Sequence, residues 1–152
     1  MFKKDDVVVS VSVLFKKKDN GGYEWFLTKK SGDDEWDFPR VFAKKGESSV
    51  RAAMRTLSEQ AGIDAKVLEE SARARVVISS SGKPMVQQQL FYLVQYLGGE
   101  EILEFAQTDW VPYANAIRRL RQKREQNALR NANKTLKEIE RNNPERLEIV
   151  EG

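Results

Sequence analysis

The chain has 152 residues, of which 40% are hydrophobic and 32% are charged, and its formal net charge is +3. This length suits one globular domain with its own core and is too short for two full domains. Because the chain contains no Cys and no His, its composition excludes disulfides, thiol redox chemistry, ordinary zinc sites and nucleophilic catalysis by Ser–His or Cys–His pairs. Acid–base chemistry is left to Asp, Glu, Lys or Tyr. The absence of Cys also fits a reducing cytoplasm, which is the location that we expect.

The first part of the chain predicts a β-hairpin. Residues 7–17 are rich in β-branched side chains, residues 19–22 carry the turn signal Asp-Asn-Gly-Gly, and residues 23–29 alternate in character. The apolar run in residues 7–15 is far too short to cross a bilayer, so we expect no membrane contact. A short third strand is expected at residues 36–38, before Pro39.

Residues 36–63 combine a loop with an amphipathic helix. Gly46, Glu47 and Ser48 stand where the loop meets the helix, and Gly62 is its stop signal. The apolar residues that recur at helical spacing are Val50, Ala53, Met54, Leu57 and Ala61. By periodicity alone, this is a surface helix whose apolar stripe covers a sheet.

The region after the helix predicts further strands. Residues 65–70 and 74–79 are candidate strands, residues 80–84 form a turn, and residues 86–97 have the apolar middle of a central strand. Residues 101–105 predict another strand or its approach. Strands that flank a helix in this order predict a mixed sheet with helices on its faces, which is an α/β fold of the α/β/α sandwich type.

The C-terminal region predicts two basic helices. Residues 115–141 are helical by composition, with a break near residues 121–124, and they carry nine basic and three acidic residues, a difference of +6. The apolar stripe of the second helix consists of Ala128, Leu129, Ala132, Leu136 and Ile139. The candidates for contact with RNA or a partner protein are Arg118, Arg119, Arg121 and Arg124. A solvated helix face is the alternative interpretation of this charge.

The ends of these helices are also predicted. Asp109 is placed to cap the entry to the first helix, and Asn143-Pro144 ends the second. The core residues expected here are Trp110, Val111, Ile117 and Leu120. We therefore expect one domain over residues 1–142 and a loose acidic tail over residues 143–152.

The order of residues 41–63 resembles the Nudix box, G-x5-E-x7-R-E-U-x-E-E-x-G-U, in which U is a bulky apolar residue. The matching residues are Glu47, Arg55, Leu57, Glu59, Gly62 and Ile63. The approach WDFPR at residues 36–40 resembles the WDFPKG of many dinucleoside-polyphosphate hydrolases of that family. The resemblance implies a Nudix-type sandwich with a mixed central sheet, the box helix on one face and the C-terminal helices on the other. It also implies that Glu47 and Arg55 pair to hold the shape of the loop.

Three positions depart from the Nudix pattern. Val41 replaces the opening Gly, and Thr56 and Gln60 each replace a Glu. In the family these carboxylates, with the carbonyl of that Gly, hold the Mg2+ or Mn2+ that bridges the substrate's pyrophosphate. Positions 56, 59 and 60 share one face of an α-helix, which here has one negative charge instead of three. Since hard divalent cations need several oxygen ligands, mostly charged, we expect weak or no metal binding, with Glu59 and Gln60 as the weak candidate ligands.

The first function implied is binding of a nucleotide or another phosphorylated ligand, with weak or absent pyrophosphohydrolase activity. Arg40, Lys44 and Lys45 are expected to lie by the phosphates, and Trp36 or Phe42 to contact a base. This ligand set follows from the retained spacing of the box together with its missing carboxylates.

Two other functions remain open. One is an active Nudix hydrolase that cleaves a nucleoside diphosphate linked to another moiety, with Mg2+ or Mn2+ as cofactor and Glu59 and Glu47 as catalytic residues. Its additional metal ligand would be one of Glu69, Glu70, Glu101 and Glu104. The other is an RNA or protein interaction module that uses the basic helices and has no cofactor.

Overall fold

The computed structural model describes residues 6–29, 32, 34–99 and 107–150, with the side chains of residues 60 and 80 excepted. The strands are β1 (Val7–Lys17), β2 (Tyr23–Lys29), β3 (Arg40–Phe42), β4 (Ile63–Ser80), β5 (Lys83–Gly99) and β6 (Gln107–Pro112). The helices are α1 (Ser49–Met54), α2 (Tyr113–Arg119) and α3 (Lys123–Asn142). A π-helical segment, Arg55–Gln60, continues α1, and a single 3-10 turn, Pro144–Arg146, follows α3. We call α1 and the π-helical segment together the box helix.

The sheet is mixed, as the sequence predicts. Its strand order is β4-β5-β1-β2-β6, and β3 pairs with β1 beside this path. β1 is antiparallel to β2 and β3 but parallel to β5, from Val7 opposite Gln87 to Phe15 opposite Gln95. β5 therefore lies between two neighbours, which is the interior position expected for residues 86–97.

The alternation in β1 separates the two faces of the sheet. Val9, Val11 and Val13 belong to the core beneath the C-terminal helices, whereas Ser10 and Ser12 lie buried on the opposite face. The Ser10 hydroxyl donates a hydrogen bond of 2.6 Å to the carbonyl of Ser49, the first residue of α1. Because these serine side chains are small, α1 approaches the strand closely.

Two hydrophobic clusters fix the layers of the fold. One packs Leu120, Leu129 and Leu136 of the C-terminal region against residues of the sheet that include Trp25 and Phe91. The other packs Leu57 and Ala61 of the box helix region against Leu14, Phe26 and Leu90. The box helix thus covers one face and the C-terminal helices cover the other, which confirms the predicted α/β/α sandwich.

The third strand lies after Pro39, so the prediction of a strand at residues 36–38 was wrong. Asp37 forms only an isolated bridge with Thr28 through a pair of backbone hydrogen bonds, 2.7 and 2.8 Å long. The Pro39 carbonyl accepts a hydrogen bond from the Ser12 amide at 2.9 Å, and pairing with β1 then continues from Arg40. Proline has no N–H to donate, yet its carbonyl starts this pairing.

β4 and β5 form one long hairpin instead of three separate strands. β4 continues through three register irregularities, between residues 64 and 65, 67 and 69, and 70 and 72. Such bulges bend a strand without ending it. The turn that joins the strands has Ser81 at φ 52° and Gly82 at φ 78°. The strand expected at residues 101–105 lies outside the described residues.

The C-terminal helices follow the predicted pattern. The break falls at residues 120–122, and all five residues of the predicted α3 stripe are buried. Val111 and Leu120 are buried as expected, whereas Trp110 and Ile117 are only partly buried. Asp109 does not cap α2, because it lies within β6 and pairs with Arg119 at 2.7 Å. Among the described residues, no helix is long and apolar enough to cross a membrane.

The described part of the C-terminal tail contacts the sheet. Arg146 donates a hydrogen bond of 2.9 Å to the carbonyl of Leu68, and Lys66 pairs with Glu148 at 2.9 Å. The Gln95 side-chain amide donates to the Glu148 carbonyl and accepts from the Glu148 amide, both at 2.9 Å. These contacts join the tail to β4 and β5 as far as residue 148.

Candidate functional site

The loop before the box helix is shaped by backbone and capping contacts. Gly46 has φ 79°, a conformation that glycine adopts without a side-chain penalty, and the Glu47 amide closes the turn on the Lys44 carbonyl at 2.9 Å. The Ser48 side chain then accepts a hydrogen bond of 3.1 Å from the Arg51 amide and so caps the helix. This brings Glu47 alongside the first turns of the box helix.

Glu47 and Arg55 form the ion pair that the resemblance implies. Arg55 Nε lies 2.9 Å from Glu47 Oε2, and Arg55 Nη2 lies 3.0 Å from Oε1. Arg55 also donates to the Phe42 carbonyl at 3.2 Å, and the Lys44 amide donates to Glu47 Oε1 at 3.0 Å. The hydrogen bonds from Arg55, followed by the one from Lys44, lower the pKa of Glu47 to about 2. Both oxygens of Glu47 are thus engaged within the protein.

The second half of the box helix is π-helical, which the sequence analysis did not anticipate. The Ala61 amide bonds to the Thr56 carbonyl, five residues earlier, at 3.1 Å. Thr56 is buried, and its hydroxyl donates to the Ala52 carbonyl at 3.2 Å. Glu59, in contrast, is exposed. Thr56 and Glu59 therefore do not present oxygen atoms to the same side of the helix, as the sequence analysis expected, because the Thr56 hydroxyl bonds back to the helix backbone.

An open cavity of about 410 Å³ lies between the loop and the box helix. We call it the box cavity, and its lining residues are Lys44, Glu47, Arg51, Met54, Arg55, Ser58 and Glu59. Three of these side chains are cationic and two are carboxylates. Two of the residues predicted for catalysis or metal binding, Glu47 and Glu59, therefore lie in one cavity with Lys44, which was predicted to bind phosphate.

The described residues of the box cavity do not fit Mg2+ or Mn2+. Glu47 is held by Arg55, and the Thr56 hydroxyl is buried in a helix hydrogen bond. Glu59 is the carboxylate of the described lining that has no such partner. Across the part of the chain that the structure describes, no group of three acidic residues could hold a metal ion. A hard divalent cation needs more charged oxygen ligands than this set provides.

The proposed additional metal ligands are engaged elsewhere or fall outside the structure. Glu69 pairs with Arg146 at 3.2 Å, and Glu70 pairs with Arg73 at 2.6 Å. Neither residue lines the box cavity. Glu101 and Glu104 lie outside the described residues.

Arg40 and Trp36 belong to a second, smaller cavity of about 160 Å³, which we call the tryptophan cavity. Its lining residues are Glu35, Trp36, Asp37, Arg40, Gln122, Arg124 and Glu125. Arg40 pairs there with Asp37 at 2.7 Å and with the buried Glu125 at 2.9 Å. Burial alone would lower the pKa of Arg40, but Asp37 and Glu125 outweigh that effect and raise it. The predicted phosphate ligands Arg40 and Lys44 thus line different cavities.

The remaining predicted ligand residues lie on open surface. The Phe42 side chain is 56% exposed, while its carbonyl binds Arg55 beside the box cavity. Lys45 is also exposed and does not line either cavity. The ring of Trp36 lies 5.3 Å from the Lys29 ammonium and 5.2 Å from the Arg119 guanidinium. Cations therefore already flank the Trp36 ring.

The four arginines predicted to contact a partner are not equivalent. Arg119 pairs with Asp109 at 2.7 Å, and Arg124 approaches Glu125 at 3.5 Å. Arg118 donates to the neutral side chain of Asn115 at 3.1 Å, and Arg121 is exposed. Two of the four charges are thus partly neutralised by carboxylates of the same chain.

Two residues of these cavities were missed by the sequence analysis. Arg51 lies four residues before Arg55, a spacing that places both on one side of an α-helix. Glu125 lies three and four residues before Ala128 and Leu129 of the α3 stripe, and it is buried with them. The helical spacing of Arg51 and Glu125 from residues already identified could therefore have pointed to both of them.

Known proteins show the same fold and sequence pattern. The chain is 32% identical over 88 residues to a protein named as a mutator protein, MutT4, of Mycobacterium tuberculosis, and the match covers 56% of this chain but only 36% of that relative. An Ap4A hydrolase of C. elegans, solved as a binary complex, superposes with a TM-score of 0.67 at 17% identity and covers 87% of this chain and 98% of its own. The NUDIX domain of Shewanella oneidensis NrtR, solved with ADP ribose, gives a TM-score of 0.60 at 16% identity and covers 89% of this chain and 90% of its own.

The sequence also matches the model of the NUDIX domain over residues 7–132. This match contains all strands of the described sheet, the box helix and the first part of α3. Because it spans well over half of the sequence, the chain belongs to the Nudix family.

Proposed function

We propose that this Nudix domain binds a nucleotide or another phosphorylated ligand and has weak or absent pyrophosphohydrolase activity. The observation that carries the proposal is the composition of the box cavity. Its loop and helix are still joined by Glu47 and Arg55, but Glu59 is the one carboxylate of the described lining that forms neither a hydrogen bond nor a close ion pair there, although its charge acts on Arg55. The chain therefore keeps the scaffold of the family, but its described residues supply too few ligands for a catalytic metal.

The charges around the loop support a phosphorylated ligand. Lys44 lines the box cavity and Lys45 is exposed beside it in the chain, so both supply positive charge near the phosphates. Phe42, the last residue of β3 before this loop, is exposed, and its aromatic ring suits stacking on a base. Arg40 and Trp36 would contribute from the tryptophan cavity. The structural neighbours include an Ap4A hydrolase and a NUDIX domain in complex with ADP ribose, which agree with this ligand class.

A ligand panel tests the proposal. Dinucleoside polyphosphates, ADP-ribose and nucleoside triphosphates are screened by thermal shift and calorimetry, and product formation is measured with Mg2+ and then with Mn2+. A ligand present at a hundredfold its dissociation constant stabilises the folded state by about 2.7 kcal/mol, which is readily measured. We expect binding with little or no cleavage. A folded protein that binds none of these ligands would overturn the proposal.

The second candidate is an active metal-dependent hydrolase of a nucleoside diphosphate linked to another moiety. It is favoured by the exposed Glu59 in the box cavity and by the retained pair of Glu47 and Arg55. Water would attack one phosphorus of the diphosphate, the P–O–P bond would break, and the second phosphate would leave. Glu59 and a ligand from beyond the described residues would hold the Mg2+ or Mn2+ that supplies positive charge to this step. Metal-dependent cleavage that disappears in Glu59→Gln would establish this function in place of the first.

The third candidate is a protein or RNA contact through the basic helices. Arg118 and Arg121 are exposed and have no carboxylate within ion-pair distance among the described residues. Such binding would weaken steeply with salt and would be lost when Arg118, Arg119 and Arg121 are changed to Glu. Binding that survives these changes would show that the basic helices are not the contact surface.

We also propose a cytoplasmic location, in keeping with the absence of cysteine.

A further inference from the structure

The charges of the box cavity do not balance. Glu47 and Arg55 neutralise each other through their two-point contact. Lys44, Arg51 and Glu59 remain, which leaves an excess of one positive charge in the lining. Within the described residues, no carboxylate lies at ion-pair distance from the side chains of Lys44 or Arg51. The cavity therefore presents to an incoming ligand two cations that form no close ion pair, one carboxylate, and a net excess of one positive charge.

This balance favours an anion over a metal ion. A divalent cation would meet the repulsion of Lys44 and Arg51 and would gain the attraction of Glu59 alone. A phosphate group, in contrast, would accept charge-assisted hydrogen bonds from both cations, and the planar guanidinium of Arg51 can donate two in parallel. The position of Arg51, one helical turn before Arg55, directs it to the same cavity.

We infer that the box cavity binds the phosphate groups of its ligand directly through Lys44 and Arg51, without a bridging divalent cation. The inference rests on the proposed function, because it concerns how the same site holds a phosphorylated ligand. In it, the two side chains supply the positive charge that metal ions provide in a Nudix box with all its carboxylates. Glu59 opposes the ligand in this arrangement, whereas it would be a ligand in a metal site.

Calorimetry with inorganic pyrophosphate, in EDTA and then in Mg2+, tests the inference. We expect pyrophosphate to bind in EDTA. Lys44→Gln and Arg51→Gln should each weaken this binding at least about tenfold, since each removes a charge-assisted hydrogen bond. Lys134→Gln is the matched control, because Lys134 is an exposed cation on α3, which packs on the other face of the sheet. It should leave the affinity unchanged.

Glu59→Gln should change the affinity for pyrophosphate in opposite directions in a metal-free site and in a metal site. Removal of its charge should strengthen metal-free pyrophosphate binding by about threefold, a typical size for an exposed charge pair. Binding that requires Mg2+ and is lost in Glu59→Gln would overturn the inference but leave the proposed function intact. Absence of pyrophosphate binding in both buffers would also overturn it, and the nucleotide panel would then decide the proposed function separately. All these positions are at the surface, and melting curves confirm that each variant is folded.

Discussion

Arg55 forms a bidentate ion pair with Glu47, with Nε 2.9 Å from one carboxylate oxygen and Nη2 3.0 Å from the other. The contact joins the loop to the box helix across eight residues of sequence. The side chains are 14% and 9% exposed, so the pair is largely covered although the cavity beside it is open. Both residues match the Nudix box, and their ion pair links the shape of the loop to pH.

The pair predicts a loss of stability in acid. The pKa of Glu47 falls from its ordinary value of 4.5 to about 2, first because of the Arg55 hydrogen bonds and then because of the Lys44 amide. A lowered folded-state pKa means that the charged carboxylate contributes stability above about pH 4.5, and this is lost as pH falls from 4.5 towards 2. Titration of Glu47 by NMR should give the low pKa directly.

Arg55→Gln provides the control for this titration. It removes the guanidinium but leaves the Lys44 amide, so the Glu47 pKa should rise towards its ordinary value. The Glu47 contribution to the pH dependence of the melting temperature between pH 4.5 and 2 should shrink with it. An unchanged Glu47 pKa in Arg55→Gln would show that the pair is not its cause.

We predict that Arg40 contributes to the stability of the fold and not to the binding of pyrophosphate. Its partner Glu125 has a side chain only 5% exposed, so Arg40→Met would leave this buried carboxylate with the more distant Arg124, at 3.5 Å, in place of its close partner. Loss of one partner of such a buried pair costs about 3 kcal/mol. Arg73→Met removes the partner of Glu70 in a pair whose arginine is 56% exposed, and it should cost less than about 1 kcal/mol. Urea denaturation of both variants measures the difference.

The same Arg40 variant tests the predicted phosphate contact. Because Arg40 lines the tryptophan cavity and not the box cavity, folded Arg40→Met should keep its affinity for pyrophosphate. A loss of affinity comparable to that of Lys44→Gln would instead restore Arg40 to the phosphate site.

We predict that restoring the family's carboxylate at position 56 does not rebuild a metal site. Thr56→Glu would put a charged side chain where a buried hydroxyl bonds to the Ala52 carbonyl, at a cost of about 2 kcal/mol. Thr56→Val is the matched change, since it removes only the hydroxyl and should cost about 1 kcal/mol. Thermal denaturation measures both, and Mn2+ titration by calorimetry should show no gain in affinity for Thr56→Glu. A stable variant that binds Mn2+ tightly would contradict the described orientation of position 56.

The sequence predicted features that depend on local period and missed those that depend on distant partners. The strand at residues 7–17 and the apolar stripe of α3 each follow from the residue pattern of one element, and the structure confirms them. The π-helical segment does not follow from such a repeat, since its hydrogen bonds join residues five apart while Leu57 and Ala61 still pack on the sheet. A carboxylate pattern written for an α-helix therefore misplaced Thr56.

Long-range pairing explains the other differences. Arg40 was expected to lie by the phosphates, and its contact with Glu125, which is 85 residues away in sequence, was not anticipated. Asp109 lies three residues before the N-cap position of α2, yet it pairs with Arg119 beyond that helix's first turn. In each case charge and local position were read correctly, while the partner was fixed by the tertiary fold.

Gln95 predicts that the C-terminal tail can be released without unfolding the domain. Its side chain makes two hydrogen bonds of 2.9 Å with the backbone of Glu148, donating to the carbonyl and accepting from the amide. Gln95→Ala removes both, at a cost of about 1–2 kcal/mol that falls mainly on the docked tail. Hydrogen exchange should show lost protection at the Glu148 amide while the amides of β1 stay protected. Lys66→Met is the comparison variant, because it removes an exposed ion pair with Glu148 and a hydrogen bond of 2.9 Å to the Arg146 carbonyl but leaves the backbone contacts of Glu148 with Gln95 in place, so its effect at the Glu148 amide should be smaller. Unchanged exchange at Glu148 in Gln95→Ala would mean that the tail is held by other contacts, such as the Arg146 hydrogen bond to Leu68.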